Sequence, residues 1–503
     1  MRKRFLTIPW IAAMAVFLVH LVANPHYGFF RDELYFIICG FHPQFGYVDQ
    51  PPVVPLLSAA TQVFGHSLVF LRAVPAFFAG AGAYVTCLLV EEYGGGAFAQ
   101  GFAALAFLFT PVLSSFGMKV TTDEVGLFTW PLMAFFVVRI AKGADPRLWL
   151  WCGAVAGISL ESKYSVVFFL VALGVGLLAT TQRSVLRSGR FAAGVGLALL
   201  IALPNVLWQM HYGFPMLTLL AAGQQGKNVV VGPLVYIIQE LFITGLLLAA
   251  VWIAGLVWLF RVAPFRFLAI AYVTLILEMI VFHGKHYYPA DVYPILLAAG
   301  GVSIEALSRR RMIVRAALVT TVIVLGMAFV PLVLPVLSED RYIAYSKSLF
   351  TFLHVSSNAT ATERHRENGP LPGDWADMHG WPELASTVAR VYDGLPLNER
   401  KQAVVVAQNY GEASAVAFFE PHVPVISGHN QYWLWGTRGY SGNVVIDIDG
   451  DCGKSLHLFR HVSRGALFTN RWAIGYENNL PIMVCSGIRE PLAAIWPATR
   501  NYR

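Results

Sequence analysis

Long apolar runs follow one another from Phe5 to about Leu337, separated by short polar loops. A bilayer crossing needs about 20 mostly apolar residues. Backbone groups inside lipid must also satisfy their own hydrogen bonds, so such runs fold as helices. Eleven spans are expected, at roughly 5–24, 67–90, 98–117, 124–140, 148–161, 164–181, 191–208, 233–259, 267–283, 289–306 and 313–336. The two that flank Ser162 are short enough to make a tight helical hairpin. Of the 503 residues, 56% are hydrophobic and 13% charged, and the mean hydropathy is +0.58, outside the range of soluble globular chains. From Ser338 onward, charges, Gly/Pro turns and short alternating strands return. The expected fold is therefore a membrane all-α part over 1–337 and a small soluble α/β domain over 338–503.

The start "MRKRFLTIPWIAAMAVFLVHLVAN" has the basic head of a signal peptide. Its apolar run is long, however, and no small-x-small site precedes the polar loop, so it reads as the first span.

Basic residues set the orientation. Arg2, Lys3 and Arg4; Arg139, Lys142 and Arg147; Arg183, Arg187 and Arg190; Arg261 and Arg266; and Arg309, Arg310, Arg311 and Arg315 all fall on one side, taken as cytoplasmic. The other side keeps isolated cations: Arg31, Lys119, Lys163, Lys227 and Lys285. The N-terminus is then cytoplasmic and the C-terminal domain extracytoplasmic. The net charge of +7 follows from this topology and gives no support to nucleic-acid binding.

The outer loops hold the candidate chemistry. Arg31, Asp32 and Glu33 lie in the first, Lys119, Asp123 and Glu124 in the second, Glu161 and Lys163 in the third, and His283, Lys285 and His286 in the fifth. Each is compatible with an ordinary solvated loop, but their concentration in short loops beside apolar helix ends favours a shared polar site at the interface. Such a site suits an anionic lipid substrate. Cations would hold its phosphate, which is a good leaving group once its charge is matched. An attacking hydroxyl must lose its proton, which calls for a carboxylate base, and Asp32 can serve. Asp123 and Glu124 fit either an N-terminal helix cap behind Thr121 or Thr122, or groups that orient an acceptor. The segment "FHGKHYYPADVYP" fits an aromatic belt, and with Lys285, His286 and Tyr287 it also fits phosphate binding. Arg72 and Glu278, inside apolar spans, read as a structural ion pair or a substrate contact. Oxygen ligands of the kind that Mg²⁺ or Mn²⁺ take are present at Asp32 and Asp123, but no spacing defines a metal site.

In the C-terminal part, "QAVVVAQ" and "NVVIDID" read as strands and "GEASAVAFFE" as a helix. The run "SGHNQYWLWG" gathers His429, Tyr432 and Trp433, suited to sugar stacking or to anchoring on the membrane. Cys452 and Cys485 share this part and are candidates for a disulfide in an oxidising compartment. Cys39, Cys87 and Cys152 form no metal-ligand spacing.

The segment "DELYFIICGFHPQFGYVDQPPVVPLL" resembles the first-loop signature of bacterial membrane glycosyltransferases related to protein O-mannosyltransferases and lipid A aminoarabinose transferases. These are the GT-C enzymes that use polyprenyl-phosphate sugars (families 39 and 83). The likeness continues through "GGGAFAQ", "TTDEVGLFTWPL", "DPRLWLWCGAVAGISLESKYSVVFF", "LPNVLWQ", "KHYYPADVYPILLAAGG", "DWADMHGWPEL", "NYGEASAVAFF" and "SGHNQYWLWG". It implies an inverting hexosyl or pentosyl transferase of the bacterial cytoplasmic (inner) membrane. Its donor would be a polyprenyl-phosphate sugar, and its acceptor a lipid, glycan or protein of the cell envelope. By the same resemblance Asp32 is the base with Glu33 beside it, Asp123 the second-loop acid, and Lys285 with Tyr287 the donor-phosphate loop. His286, Arg31 and Lys119 add to phosphate binding, and Glu124, His429, Tyr432 and Trp433 to acceptor or sugar contacts. Two departures stand out. Gln50 occupies the place of a lysine in the aminoarabinose transferases, and Glu161 and Ser162 precede Lys163, so that Glu161 is expected to neutralise it.

A glycolipid transporter or flippase is the alternative, and a carbohydrate-sensing membrane protein a third reading. Transporters commonly show repeated halves and broken midplane helices. The absence of an apparent repeat, the charges at one interface and the large outer domain favour the enzyme.

Overall fold

The computed structural model describes residues 7–224, 229–354, 369–453 and 457–502. Arg2, Lys3, Arg4 and Lys227 lie outside them. Two compact units emerge: one from Met1–His26, Val69–Leu207 and Val229–Thr362, the other from Tyr27–Leu68, Trp208–Asn228 and Glu363–Arg503.

The first unit is helical. Among the described residues five helices are long and apolar enough to cross a bilayer: Leu68–Glu92, Gly189–His211, Ala263–Val281, Ala290–Leu307 and Met312–Val333. Two bent pairs raise this to seven. Other expected spans coincide with shorter apolar helices, Thr7–Ala23, Ala97–Phe109, Gly126–Ala141 and Leu148–Leu160. Breaks explain part of the shortening. Pro111 restarts the helix after Thr110, and at Gly245, whose φ is +77°, Pro233–Ile243 turns by 107° into Leu246–Arg261.

Lipid supplies no hydrophobic drive between helices, so close packing must hold them together. Gly255 and Gly300 show how. A methyl group on Gly255 would overlap the carbonyl of Leu296, and one on Gly300 would overlap that of Val251. A second device is polar. Arg72 donates from Nη1 to the carbonyls of Asn24 (2.6 Å) and His26 (3.1 Å), and Asn24 Nδ2 donates to the carbonyl of Gly117 at 2.8 Å. Arg72 thus ties down the end of Thr7–Ala23.

The second unit is built on a five-stranded sheet in the order β2-β1-β3-β5-β4. Its strands are β1 (Ala403–Ala407), β2 (Val425–Ser427), β3 (Val444–Ile448), β4 (Phe459–Phe468) and β5 (Leu480–Ile488). β1 runs parallel to β2 and β3, and β5 is antiparallel to β3 and β4. The buried apolar run of β3, Val444–Ile448, is what a central strand requires. Cys452 and Cys485 are disulfide-bonded beside Val404, Ile426 and Val445. Four helices matter to the site: α1 (Arg31–Phe41), α2 (Val53–Thr61), α3 (Trp381–Asp393) and α4 (Tyr410–Phe419). α1 belongs to the first loop, yet it folds with the C-terminal chain. Tyr35 stacks on Tyr410 with centroids 4.5 Å apart, and Phe29 meets Phe418 at 5.2 Å.

Substituting valine at Gly255 inserts side-chain volume where a backbone carbonyl already sits, and overpacking of this kind costs about 1–3 kcal/mol. Gly255→Val is expected to lower the melting temperature of the detergent-solubilised protein, whereas Gly196→Ala, at a helical glycine with open space around it, is expected not to lower it. Equal melting for both variants and the wild type would contradict this packing account.

Candidate active site

In the second unit, α1 opens on Phe30, which has extended backbone and no side-chain oxygen to cap the helix. Glu33 supplies the return arm: its Oε2 accepts the Phe30 N–H at 2.8 Å, and its side chain is buried. The adjacent carboxylates therefore divide their roles. Glu33 fixes the helix start, and Asp32 keeps 31% of its side chain exposed.

Asp32 Oδ1 accepts the Tyr410 hydroxyl at 2.7 Å and lies 3.9 Å from Arg31 Nε. Arg31 is itself deeply engaged. Nη2 pairs with buried Asp377 at 3.4 Å, Nη1 donates to the Tyr476 hydroxyl at 2.8 Å, and the guanidinium lies 5.3 Å from the Tyr410 ring centre. Its expected place in phosphate binding must be weighed against these partners. Asp49 is the acid that sequence reasoning passed over. The Tyr35 hydroxyl donates to its Oδ1 at 2.8 Å and Asn430 Nδ2 to its Oδ2 at 3.0 Å. Burial, reinforced by the Asp32 charge, pushes its pKa to about 6 despite those donors. Gln431 adds two contacts: its Oε1 accepts the Val48 N–H at 3.2 Å, and its own N–H donates to the Tyr35 hydroxyl at 3.2 Å.

Below these lies a second acidic pair. Asn409 caps α4, with Oδ1 accepting the N–H groups of Gly411 and Glu412, while its Nδ2 donates to Glu412 Oε1 and Glu477 Oε1, each at 2.8 Å. Burial raises both carboxyls; the Glu477 charge adds to the rise of Glu412, and Glu477 reaches about 7 as Arg31 opposes the rise and Asp377 adds to it.

The expected sugar contacts of "SGHNQYWLWG" take other positions. His429 Nδ1 accepts the Tyr410 N–H at 3.3 Å, buried Tyr432 bonds Ser414 at 3.0 Å, and Trp433 exchanges N–H···O=C bonds with Trp496 at 3.1 Å each. Their rings pack inside the unit.

In the first unit three loops converge. Lys163 pairs with Asp123 through Oδ1, so the neutralising acid is Asp123 and not the expected Glu161. The Lys163 ammonium also lies 4.8 Å from the Tyr288 ring centre and 5.5 Å from that of Tyr287, and Lys285 lies 6.0 Å from Tyr287. Glu124 folds back as a cap, its Oε2 accepting the Thr121 N–H at 2.9 Å. Lys119 is buried in the same loop. His286 is held neutral, its pKa lowered to about 4 by burial and by the Lys285 charge, so it brings a hydrogen bond and no charge. Asp291, from "KHYYPADVYP", is the overlooked member. Its carboxylate lies against Gly126 at the start of helix Gly126–Ala141, leaving no room there for a side chain. Glu240, in the broken helix, accepts a hydrogen bond from the Tyr293 hydroxyl.

Among the described residues, the group of three acidic, His or Cys side chains close enough to share a metal is Asp447, Cys452 and Cys485, whose sulfurs form the disulfide. Neither Asp32 nor Asp123 belongs to such a group among the described residues.

These features define a class: a multi-pass helical membrane protein with a small mixed-sheet unit and acidic and basic loop residues. The chain has the GT-C fold. It superposes on ArnT from Cupriavidus metallidurans over 97% of this chain and 100% of that one in the apo state (TM-score 0.60, 15% identity). With the same protein bound to undecaprenyl phosphate the values are 95%, 99%, 0.58 and 15%. Residues 49–208 match the family model described as dolichyl-phosphate-mannose-protein mannosyltransferase. The chain is thus similar to the mannosyltransferase family model over 49–208 and to ArnT in fold. No curated protein matches it in sequence.

The raised carboxyls give a signed expectation. A carboxyl whose folded-state pKa lies above its unfolded value contributes stability that is complete below the unfolded pKa and is lost as pH rises through the folded one. For Glu477 that window runs from 4.5 to about 7. His286 and His42, lowered by burial, act in the opposite sense, so the difference between proteins is the readout. The melting temperature of Glu477→Gln relative to wild type is expected to rise steadily from pH 4.5 to pH 7. A difference that is flat or falls with pH would contradict a buried neutral Glu477.

Proposed function

We propose that the protein transfers a sugar from a polyprenyl-phosphate carrier to an acceptor hydroxyl on the extracytoplasmic face of a bacterial cytoplasmic membrane. The reading rests above all on Asp32, a carboxylate that stays partly exposed while hydrogen-bonded to Tyr410. The fold shared with a structure of a protein that binds undecaprenyl phosphate supports a lipid-linked donor. Fold alone does not choose a substrate, so the residues must carry the chemistry.

In this reaction the acceptor oxygen attacks the anomeric carbon while the bond from that carbon to the phosphate oxygen breaks. The hydroxyl proton passes to Asp32, and the polyprenyl phosphate leaves with the bonding pair. One displacement inverts the anomeric centre. By the family resemblance, the loop of Lys285, His286 and Tyr287 in the first unit would meet the donor phosphate; in that unit Asp123 holds Lys163. Asp49 places a second carboxylate near Asp32. The multi-span part, 1–337, carries the lipid site in this reading, and the chain beyond it lies outside the cytoplasm.

The transporter reading draws on one specific observation, the helix pair bent by 107° at Gly245. Purified protein in nanodiscs, given a panel of polyprenyl-phosphate sugars and a cell-envelope extract, decides between them. Wild type is expected to release polyprenyl phosphate, and Asp32→Asn to do so at least 100-fold more slowly, since a positioned base contributes about 10²–10⁴-fold. Lys285→Ala is expected to raise the donor KM several-fold. Donor movement between leaflets without release would favour the transporter.

A further inference from the structure

The segment Asn409–Glu412 has one task for each residue, and all four bear on Arg31 and Asp32. Asn409 caps α4 and bridges Glu412 to Glu477. Tyr410 sends its hydroxyl to Asp32 and its ring under the Arg31 guanidinium. Gly411 leaves the space that Arg31 fills: a Cβ there would lie 2.5 Å from both Cγ and Cδ of Arg31. Glu412 accepts the Gln408 N–H at 2.8 Å and so closes the turn that carries Tyr410. On the far side, Asp377 and Tyr476 hold the other end of the guanidinium.

We propose that this segment is a clamp for the base, with Tyr410 as the positioning residue that aims the Asp32 carboxylate at the acceptor hydroxyl. The inference rests on the reading of Asp32 as the base. The ring of Tyr410 is itself fixed between Tyr35 (4.5 Å) and His429 (4.9 Å), so its hydroxyl has little freedom. A donor held in this way fixes which Asp32 oxygen is occupied, because Oδ1 is taken. The remaining acceptor sites of the carboxylate are then presented in one orientation. Proton transfer needs heavy atoms about 2.6–3.2 Å apart, and small losses of orientation are costly. The acids around Arg31 are consistent with this role. Asp32 and Asp377 face one guanidinium, and burial pushes the nearby Glu412–Glu477 pair toward neutrality.

The test is a double-mutant cycle on the transfer reaction in nanodiscs, with wild type, Tyr410→Phe, Asp32→Asn and the double variant. Phenylalanine keeps the stacked ring and removes only the hydroxyl. Tyr410→Phe is expected to lower kcat tenfold or more with donor KM unchanged, and to have no further effect in the Asp32→Asn background. Gly411→Ala, which displaces Arg31 instead, is expected to lower kcat with the same KM split. Undecaprenyl phosphate binding and melting temperature, measured on every variant, separate positioning from misfolding. Wild-type kcat in folded Tyr410→Phe, with Asp32→Asn inactive, would overturn the clamp and leave the base assignment standing. Wild-type turnover in Asp32→Asn would overturn the base assignment itself. A Tyr410→Phe loss that multiplies fully with that of Asp32→Asn would show that Tyr410 acts elsewhere, and would also overturn the clamp.

Discussion

The buried guanidinium of Arg31 is the interaction on which the second unit depends. A charge with a side chain only 11% exposed must be paired, and Asp377, Tyr476 and the Tyr410 ring meet that need from three separate stretches of the C-terminal chain. Removing one partner from such a pair costs about 3–5 kcal/mol, because the other charge stays buried. A short loop that would otherwise be solvated is thereby built into a folded unit. Its neighbours follow: Asp32 is set by Tyr410, Asp49 by Tyr35 and Asn430, and the backbone at Val48 by Gln431.

Much of this was legible in the sequence, though not the pairing. Apolar runs located the helices because lipid leaves the backbone no alternative, and "QAVVVAQ", "NVVIDID" and "GEASAVAFFE" read correctly as two strands and a helix. Strands β2, β4 and β5 went unread: β2 has only three residues, and β4 lies at the sheet edge with mostly exposed residues, so its hydrophobic pattern is weak. The break at Gly245 looked like one long span, since composition does not register a single glycine at positive φ. At the site, Asp32, Asp123, Lys163 and Lys285 stood out as isolated charges. Asp49, Asp291, Asp377 and Tyr410 did not, although each lies inside a motif that drew attention. Their partners are hundreds of residues away in some cases, and a motif shows that a residue is present without showing what it touches.

The membrane unit handles charge by a different rule. Three of its cations have something to lean on: Lys163 has Asp123 and two tyrosine faces, Lys285 one such face, and Arg72 the carbonyls at a helix end. Neutral His286 adds no repulsion. Arg72 therefore belongs to the scaffold, whereas Lys163 and Lys285 sit on aromatic surfaces.

The central claim is a single displacement assisted by one carboxylate base. The anomeric configuration of the product tests it most directly, measured by proton NMR after transfer from a donor of known configuration. The account predicts inversion. Retention would require a covalent glycosyl-enzyme or a second displacement, and would contradict the role given to Asp32.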